Sequence, residues 1–149
     1  MRFDIFQADE AMLPTAGAIH SAAWQESHRS FCASEFIAAH TPERQEAYLR
    51  QCIRSGARLY MLSDGEPKGI VTVNENLIEN LYVLPEAQNR GYGTALLQFA
   101  VSQCPGVPEL WILNNNTDAR RLYEKHGFRL TGISNQLTPS LFEVQMKLQ

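Results

Sequence analysis

The chain has 149 residues, of which 44% are hydrophobic and 19% are charged, and this composition is typical of one globular domain over 1–149 with a packed core. The formal net charge of −3 and the lack of a long basic run argue against a nucleic acid as partner. No apolar stretch has the length of a membrane span and Met1-Arg2-Phe3-Asp4 does not begin a signal peptide, so we expect no membrane partner.

The N-terminal third predicts a strand and two helices. Hydrophobic spacing and turn residues indicate, in order, a strand over 2–6, a helix over about 11–28, a loop over 31–40 and a helix that runs to about residue 54. Thr41 and Pro42 have the pattern of an N-cap followed by proline at the first helical position, which sets the start of the second helix. Ser55-Gly56 ends it.

Three strands are predicted next. The first two, over 59–62 and 69–74, are joined by Asp64-Gly65-Glu66-Pro67, which is a hairpin signal. The third covers 78–83 and is closed by Pro85, because proline cannot donate a hydrogen bond to a neighbouring strand.

The six residues Gln88-Asn89-Arg90-Gly91-Tyr92-Gly93 link this strand to an apolar stretch with helical spacing that runs to about Gln103. A helix start exposes unpaired N–H groups and the positive end of the helix dipole, and glycines let an anion approach the main chain. The turn therefore predicts a phosphate or pyrophosphate site. Neither a Rossmann nor a Walker motif fits, because Leu96 stands where a third glycine belongs and no lysine follows Gly93.

The last third predicts a short buried strand from Leu110, a helix, and two strands near 128–134 and 141–148. Asn116, Thr117 or Asp118 caps the helix, and Gly127 is its stop signal. Because antiparallel strands come first and helices are inserted among them, the fold class is α+β, with a mixed, mainly antiparallel central sheet flanked by helices.

Two segments resemble signatures of the GNAT superfamily of acyl-CoA-dependent N-acetyltransferases. The first is Gln-x-x-Gly-x-Gly at Gln88–Gly93, which follows Val-Leu-Pro and resembles the acyl-CoA loop. The second is Asn-x-x-Ala-x-x-aromatic/Leu-Tyr-x-x-x-Gly-Phe, which falls on Asn116, Ala119, Leu122, Tyr123, Gly127 and Phe128. The resemblance covers the second half of the chain strongly and the first half only in the order of its elements.

The resemblance implies a GNAT-like fold and an N-acetyltransferase that uses acetyl-CoA as co-substrate. The acetyl group would pass to a primary amine of a small molecule or peptide by direct attack in a ternary complex. The alternative is a non-catalytic acyl-CoA-binding regulatory module that has lost turnover. Because GNAT members often dimerise, the resemblance also implies a homodimer as a candidate assembly.

The resemblance also implies cofactor-binding residues. The main chain of Leu81, Tyr82 and Val83 would pair with the pantetheine arm of the cofactor. Backbone groups of the following turn would hold the pyrophosphate, namely those of Gln88, Asn89, Arg90, Gly91, Tyr92, Gly93 and Thr94. The Arg90 side chain either screens the phosphates or is a solvated surface group, and Asn116 either caps its helix, contacts the cofactor, or does both.

The match to the family signature makes Tyr123 the candidate general acid for the thiolate that leaves, since its hydroxyl is protonated at neutral pH, and also places it in the cofactor site. The alternative is a half-buried helix tyrosine that packs its ring and keeps its hydroxyl in water. The candidate general base is Glu79, which by period-two alternation shares the apolar face of Leu81 and Val83, where burial raises its pKa. Glu75 is the alternative base. For either residue, the alternative to a catalytic role is that it is simply an exposed glutamate on a strand.

The acceptor side and the cellular setting are predicted less specifically. The resemblance implies that the wall that faces the acceptor comes from the first two helices and their connection, here Trp24, His28, Phe31, Glu35 and Phe36. The three widely spaced cysteines favour reduced thiols in a cytoplasmic protein, and the four histidines lack metal-ligand spacing, so no metal is expected.

Overall fold

The computed structural model describes residues 2–30 and 32–149. The strands are β1 (Asp4–Gln7), β2 (Arg58–Ser63), β3 (Pro67–Asn74), β4 (Leu77–Val83), β5 (Glu109–Leu113), β6 (Phe128–Thr138) and β7 (Leu141–Leu148). The helices are α1 (Leu13–His28), α2 (Ser34–Ala38), α3 (Pro42–Arg54), α4 (Tyr92–Gln103) and α5 (Thr117–Lys125).

The described strands form one seven-stranded sheet in the order β1-β2-β3-β4-β5-β7-β6. Neighbouring strands are antiparallel except β4 and β5, which pair in parallel. This arrangement confirms the predicted mixed, mainly antiparallel sheet flanked by helices. The parallel pair lies in the middle of the sheet because α4 carries the chain from the end of β4 back to the start of β5.

Alternate strand residues point to opposite faces of the sheet, so each face carries apolar side chains. Helices cover both faces. One face is covered by α1 and α3 and buries Leu13, Ala16, Ile19, Leu49, Leu59, Met61 and Ile70. The other face is covered by α4 and buries Val71, Val73, Ile78, Leu96, Leu97, Ala100 and Met146. We refer to these as the α1/α3 face and the α4 face.

One helix and the end of one strand differ from the prediction. The predicted loop over 31–40 contains the short helix α2, in which Phe36 packs edge-on against Trp24 with ring centroids 5.4 Å apart. No side chain caps this helix, so its sequence carries no start signal and tertiary ring contacts support it. β6 extends to Thr138 rather than to about 134, because pairing with β7 continues to Leu141.

The alternation predicted for β4 is wrong. The register shifts between Ile70↔Tyr82 and Thr72↔Glu79, and Asn80 adopts a left-handed φ of 57°, so the strand contains a β-bulge. Glu79 lies opposite Thr72 on the α1/α3 face, whereas Leu81 and Val83 pack against the α4-face core.

Candidate active site

β4 and β5 separate soon after they meet. Within the described residues their ladder consists of the pair Leu77↔Glu109, next to a hydrogen bond from Glu109 N to Asn76 O of 2.8 Å. Beyond this point the two strands diverge, and a cavity of about 850 Å³ lies between them. The cavity is lined by 78–83 of β4 and 110–113 of β5, together with side chains from α1, the glycine turn and α5.

The segment Gln88–Gly93, which we call the glycine turn, borders this cavity where the chain leaves β4. Gly91 has φ 82°, and α4 begins at the next residue. Apart from its chain neighbours and the backbone of its own helix turn, a Cβ on either Gly91 or Gly93 would meet no atom of the described chain within 4 Å, so packing within the protein does not account for glycine at Gly93. Open space above a helix N-terminus matches the needs of a phosphate group, and the residues present therefore fit acyl-CoA.

Three side chains of the turn contact other parts of the protein. Tyr92 is buried, and its hydroxyl donates a 2.6 Å hydrogen bond to Asp64 Oδ2, an interaction that holds the pKa of Asp64 below its usual value. Arg90 Nη1 lies 3.6 Å from the same carboxylate. Gln88 Nε2 donates to Val83 O at 3.2 Å. The turn is thus anchored to the β2–β3 hairpin, and any phosphate contacts of these residues remain predictions.

The predicted pantetheine strand lines the cavity at Leu81, Tyr82 and Val83. The bulge sends the Tyr82 ring to the α1/α3 face, where it lies 4.6 Å from the ring of His20, while Leu81 and Val83 pack on the other face. Burial raises the pKa of Tyr82, so its hydroxyl stays protonated.

Glu79 is half-buried and lines the cavity. Burial raises the pKa of its carboxyl, and the negative charge of Glu143 on β7 adds to the shift. A raised pKa suits a general base that must work near neutral pH. Glu75 is exposed in the β3–β4 turn with φ 54°, away from the described lining of the cavity, so the geometry favours Glu79.

Tyr123 lines the same cavity from α5. Its ring packs edge-on against Phe128 with centroids 5.9 Å apart, and burial raises its pKa to about 12. Its hydroxyl makes no hydrogen bond to any described residue and is protonated at neutral pH. Asn116 starts α5, since its Oδ1 accepts from Ala119 N at 3.2 Å, and it also borders the cavity.

One wall of the cavity is aromatic. Trp24 stacks between the rings of His28 and His40, at 4.0 Å and 3.5 Å, and Phe36 closes the group. Burial lowers the pKa of both histidines, so they are largely neutral at pH 7. Of the predicted acceptor wall, Trp24, His28 and Phe36 line the cavity and Glu35 does not. Phe31 lies outside the described residues.

Several lining residues were not predicted from the sequence. Among them are His40, Asn80, Leu137, Leu141 and Glu143. No local pattern distinguishes them, because they reach the cavity through the β4 bulge, the short helix α2 and the β6–β7 hairpin. Glu143 matters most for the chemistry, since its charge acts on Glu79.

Within residues 2–30 and 32–149, none of the helices combines the length and the apolar character that a membrane span requires. No three His, Cys, Asp or Glu side chains gather there closely enough to hold a metal ion.

Comparison with known proteins gives consistent matches. The family model described as acetyltransferase (GNAT) domain matches residues 53–130. A probable N-acetyltransferase of Mycobacterium tuberculosis is 27% identical over 131 residues, which cover 80% of this chain and 75% of that protein. The peptidyl-lysine N-acetyltransferase YjaB of Salmonella typhimurium is 30% identical over 69 residues, or 46% of this chain and 47% of the relative.

Among solved structures, the PaiA N-acetyltransferase of Thermoplasma acidophilum, crystallised in complex with coenzyme A, superimposes with a TM-score of 0.74 at 19% identity. The match covers 97% of this chain and 98% of that one. At this identity the likeness establishes the fold.

Proposed function

We propose that this chain, which belongs to the GNAT family of acetyltransferases, moves an acetyl group from acetyl-CoA to a primary amine of a small molecule or peptide by direct attack in a ternary complex. The observation that carries the proposal is the single cavity between β4 and β5. Its lining includes the open glycine turn, an aromatic wall, Glu79 and Tyr123. A binding module would need the turn but not this acid and base.

The residues of the site divide the chemistry between them. When bound, acetyl-CoA supplies the acetyl group as a thioester. The main chain of Gly91 and Gly93 would hold its phosphates, and the edge of β4 from Leu81 to Val83 would align its arm. This leaves the middle of the cavity, beside Glu79 and Tyr123, for the reacting groups.

Glu79 and Tyr123 would move protons in opposite directions. The Glu79 carboxylate takes one proton from the ammonium of the acceptor, directly or through water, so that the nitrogen lone pair can attack. As the nitrogen–carbon bond forms and the carbon–sulfur bond breaks, the Tyr123 hydroxyl donates a proton to the sulfur that leaves, and the second proton lost by the attacking nitrogen restores the hydroxyl. Its pKa of about 12 keeps it protonated at neutral pH.

The acceptor end supports an amine substrate. Glu79 and Glu143 make the middle of the cavity acidic, and Trp24 and Phe36 give its wall an aromatic surface, which suits an ammonium group with an apolar stem. The name of the Salmonella relative, a peptidyl-lysine N-acetyltransferase, agrees with a primary amine on such a stem. We further propose that residues 1–149 act as one domain in the cytoplasm; a homodimer stays a prediction.

Replacing Glu79 with glutamine should flatten the acid limb of the pH profile of kcat/KM. In the parent the rate should fall as pH drops through the pKa of Glu79, because the protonated acid cannot accept a proton. Since this pKa is raised, the fall should begin at a higher pH than for an ordinary glutamate. The measurement is thiol release from acetyl-CoA with a panel of amines between pH 5 and 9.

Glu75→Gln is the matched control, because Glu75 lies on the turn before the same strand and is exposed. Its profile should match the parent's. An unchanged profile for Glu79→Gln would mean that another group or solvent removes the proton.

A further inference from the structure

A line of side-chain hydrogen bonds crosses the α1/α3 face and ends at Glu79. The Nε2 atom of Gln45 on α3 lies 2.9 Å from Nδ1 of His20 on α1, and His20 Nε2 lies 3.0 Å from Oδ1 of Asn80. Asn80 Nδ2 donates to Thr72 Oγ1 at 3.0 Å. The Thr72 hydroxyl donates to the backbone oxygen of Glu79 at 3.1 Å. We refer to these side chains as the Gln45–Thr72 network.

The donors and acceptors of this network are mutually consistent when His20 is neutral. Gln45 donates to Nδ1, so Nε2 carries the proton and donates to Asn80 Oδ1. Asn80 then uses its oxygen as acceptor and its nitrogen as donor, and the Thr72 hydroxyl accepts one bond and donates the other. Burial, with smaller contributions from His40 and His28, lowers the pKa of His20 to about 4, so the neutral form predominates.

The network is buried in a layer that is otherwise apolar. His20 is 2% exposed, Gln45 4% and Thr72 1%. Buried polar groups need partners, and removing one partner leaves the others unsatisfied, so such networks fix a geometry rather than add general packing. The geometry fixed here is that of Asn80, whose left-handed backbone forms the bulge in β4.

The bulge decides on which face Glu79 lies. On the N-terminal side of the bulge, Thr72 pairs with Glu79; on its other side, Ile70 pairs with Tyr82. If the bulge were lost and the Ile70–Tyr82 pairing continued along the strand, Glu79 would stand opposite Val73, whose side chain is buried on the α4 face. A slip of one residue moves a side chain to the other face of a sheet.

We propose that His20 is a positioning residue, which acts through Asn80 to hold the β4 bulge and thereby keeps the Glu79 carboxyl on the α1/α3 face of the cavity. The role rests on the proposed function in so far as Glu79 is the general base. His20 itself has no part in proton transfer.

The test compares His20→Gln with His20→Asn. Glutamine can place an amide N–H near the position of Nε2 and keep the bond to Asn80, whereas asparagine ends near Nδ1 and keeps only the contact with Gln45. Three quantities are measured for each: the pKa of Glu79 from its carboxyl carbon NMR signal, assigned with Glu79→Gln; the dissociation constant of acetyl-CoA; and the pH profile of kcat/KM for the acceptor. The groups that act on or lie near Glu79, namely Glu143, Tyr48, Tyr82 and Cys52, are the same in all variants.

His20→Asn should raise the pKa of Glu79 further, because loss of the bulge turns the carboxylate towards the apolar core of the α4 face, and should lower kcat/KM by about tenfold to 100-fold through misplacement of the base. The acid limb should shift to higher pH with it. His20→Gln should stay near the parent in both, and acetyl-CoA affinity should change by less than about twofold in either variant, since the glycine turn is untouched.

An unchanged pKa of Glu79 and an unchanged acid limb in His20→Asn would overturn the proposal. If that variant does not fold, Asn80→Ala replaces it, because alanine removes the link and, unlike glycine, does not itself favour the left-handed backbone of the bulge. It should give the same shift, and parent behaviour would again overturn the proposal. A parent that neither binds acetyl-CoA nor acetylates any amine would refute the proposed function, whereas the pKa of Glu79 in the variants would still test the link.

Discussion

Replacing Gly93 with valine is expected to lower the affinity for acetyl-CoA by on the order of 100-fold while the protein stays folded. The new side chain would occupy the space above the start of α4, where no described atom outside its own helix turn lies within 4 Å of a Cβ. A phosphate displaced from there loses hydrogen bonds worth about 1.5–3 kcal/mol each, and about 1.4 kcal/mol corresponds to a tenfold change in affinity. Calorimetric titration with acetyl-CoA measures the effect.

Gly93 tests this site more cleanly than Gly91. Gly91 has φ 82°, so valine there strains the backbone as well as filling the space, whereas Gly93 lies within α4 without a positive φ. A helical glycine replaced by another residue should keep or raise the free energy of unfolding. Gln98→Val, at an exposed position further along α4, is the matched control and should bind like the parent. Normal binding by Gly93→Val would refute the assignment of the turn.

Replacing Tyr123 with phenylalanine should lower kcat by about tenfold or more and leave the affinity for acetyl-CoA within about twofold, which is the scale expected when a general acid is lost. The ring contact with Phe128 survives the change, so packing is preserved. What disappears is the hydroxyl that makes no hydrogen bond to the described residues. Single-turnover and steady-state rates, with calorimetry for binding, separate the chemical step from cofactor affinity.

Tyr60→Phe provides the control for losing a buried tyrosine hydroxyl. Tyr60 is 5% exposed, bonds Gln103 Oε1 at 3.3 Å and lies away from the cavity lining, so its loss should affect stability more than kcat. If Tyr123→Phe turns over like the parent, Tyr123 is a packing residue and the leaving thiolate is protonated by another group or by water.

The parts of the fold that the sequence predicts well depend on local signals. The helix Pro42–Arg54 begins as predicted because the Thr41 hydroxyl accepts from Arg44 N at 3.2 Å and proline follows at once. Gly127, with φ 95°, ends α5 as predicted. Such caps involve residues within one turn of each other, so the pattern alone is sufficient.

The face of Glu79 could not be predicted in this way. Period-two alternation assumes an unbroken strand, and nothing in the residues around Asn80 reveals that the strand contains a bulge. The bulge is held by His20 on α1, which is 60 positions away from Asn80 along the chain. His20 is in turn held by Gln45 on α3. Likewise, Glu143 comes near Glu79 only because β7 inserts between β5 and β6.

The acceptor end shows the same limit. Trp24 and Phe36 could be placed there from the order of the elements, but the stacking of His40 on Trp24 at 3.5 Å depends on how α2 returns the chain. The raised pKa of Glu79 is predicted correctly in direction although its face is not, because both faces of a central strand are buried and either one would desolvate the carboxylate.

The central claim is that the cavity between β4 and β5 binds acyl-CoA through the glycine turn. Calorimetric titration of the folded parent with acetyl-CoA and with CoA, followed by the same titration of Gly93→Val, tests it most directly. We predict one micromolar site per chain for both ligands, lost in the variant. A folded parent that binds neither ligand would contradict the claim and, with it, the proposed acetyltransferase activity.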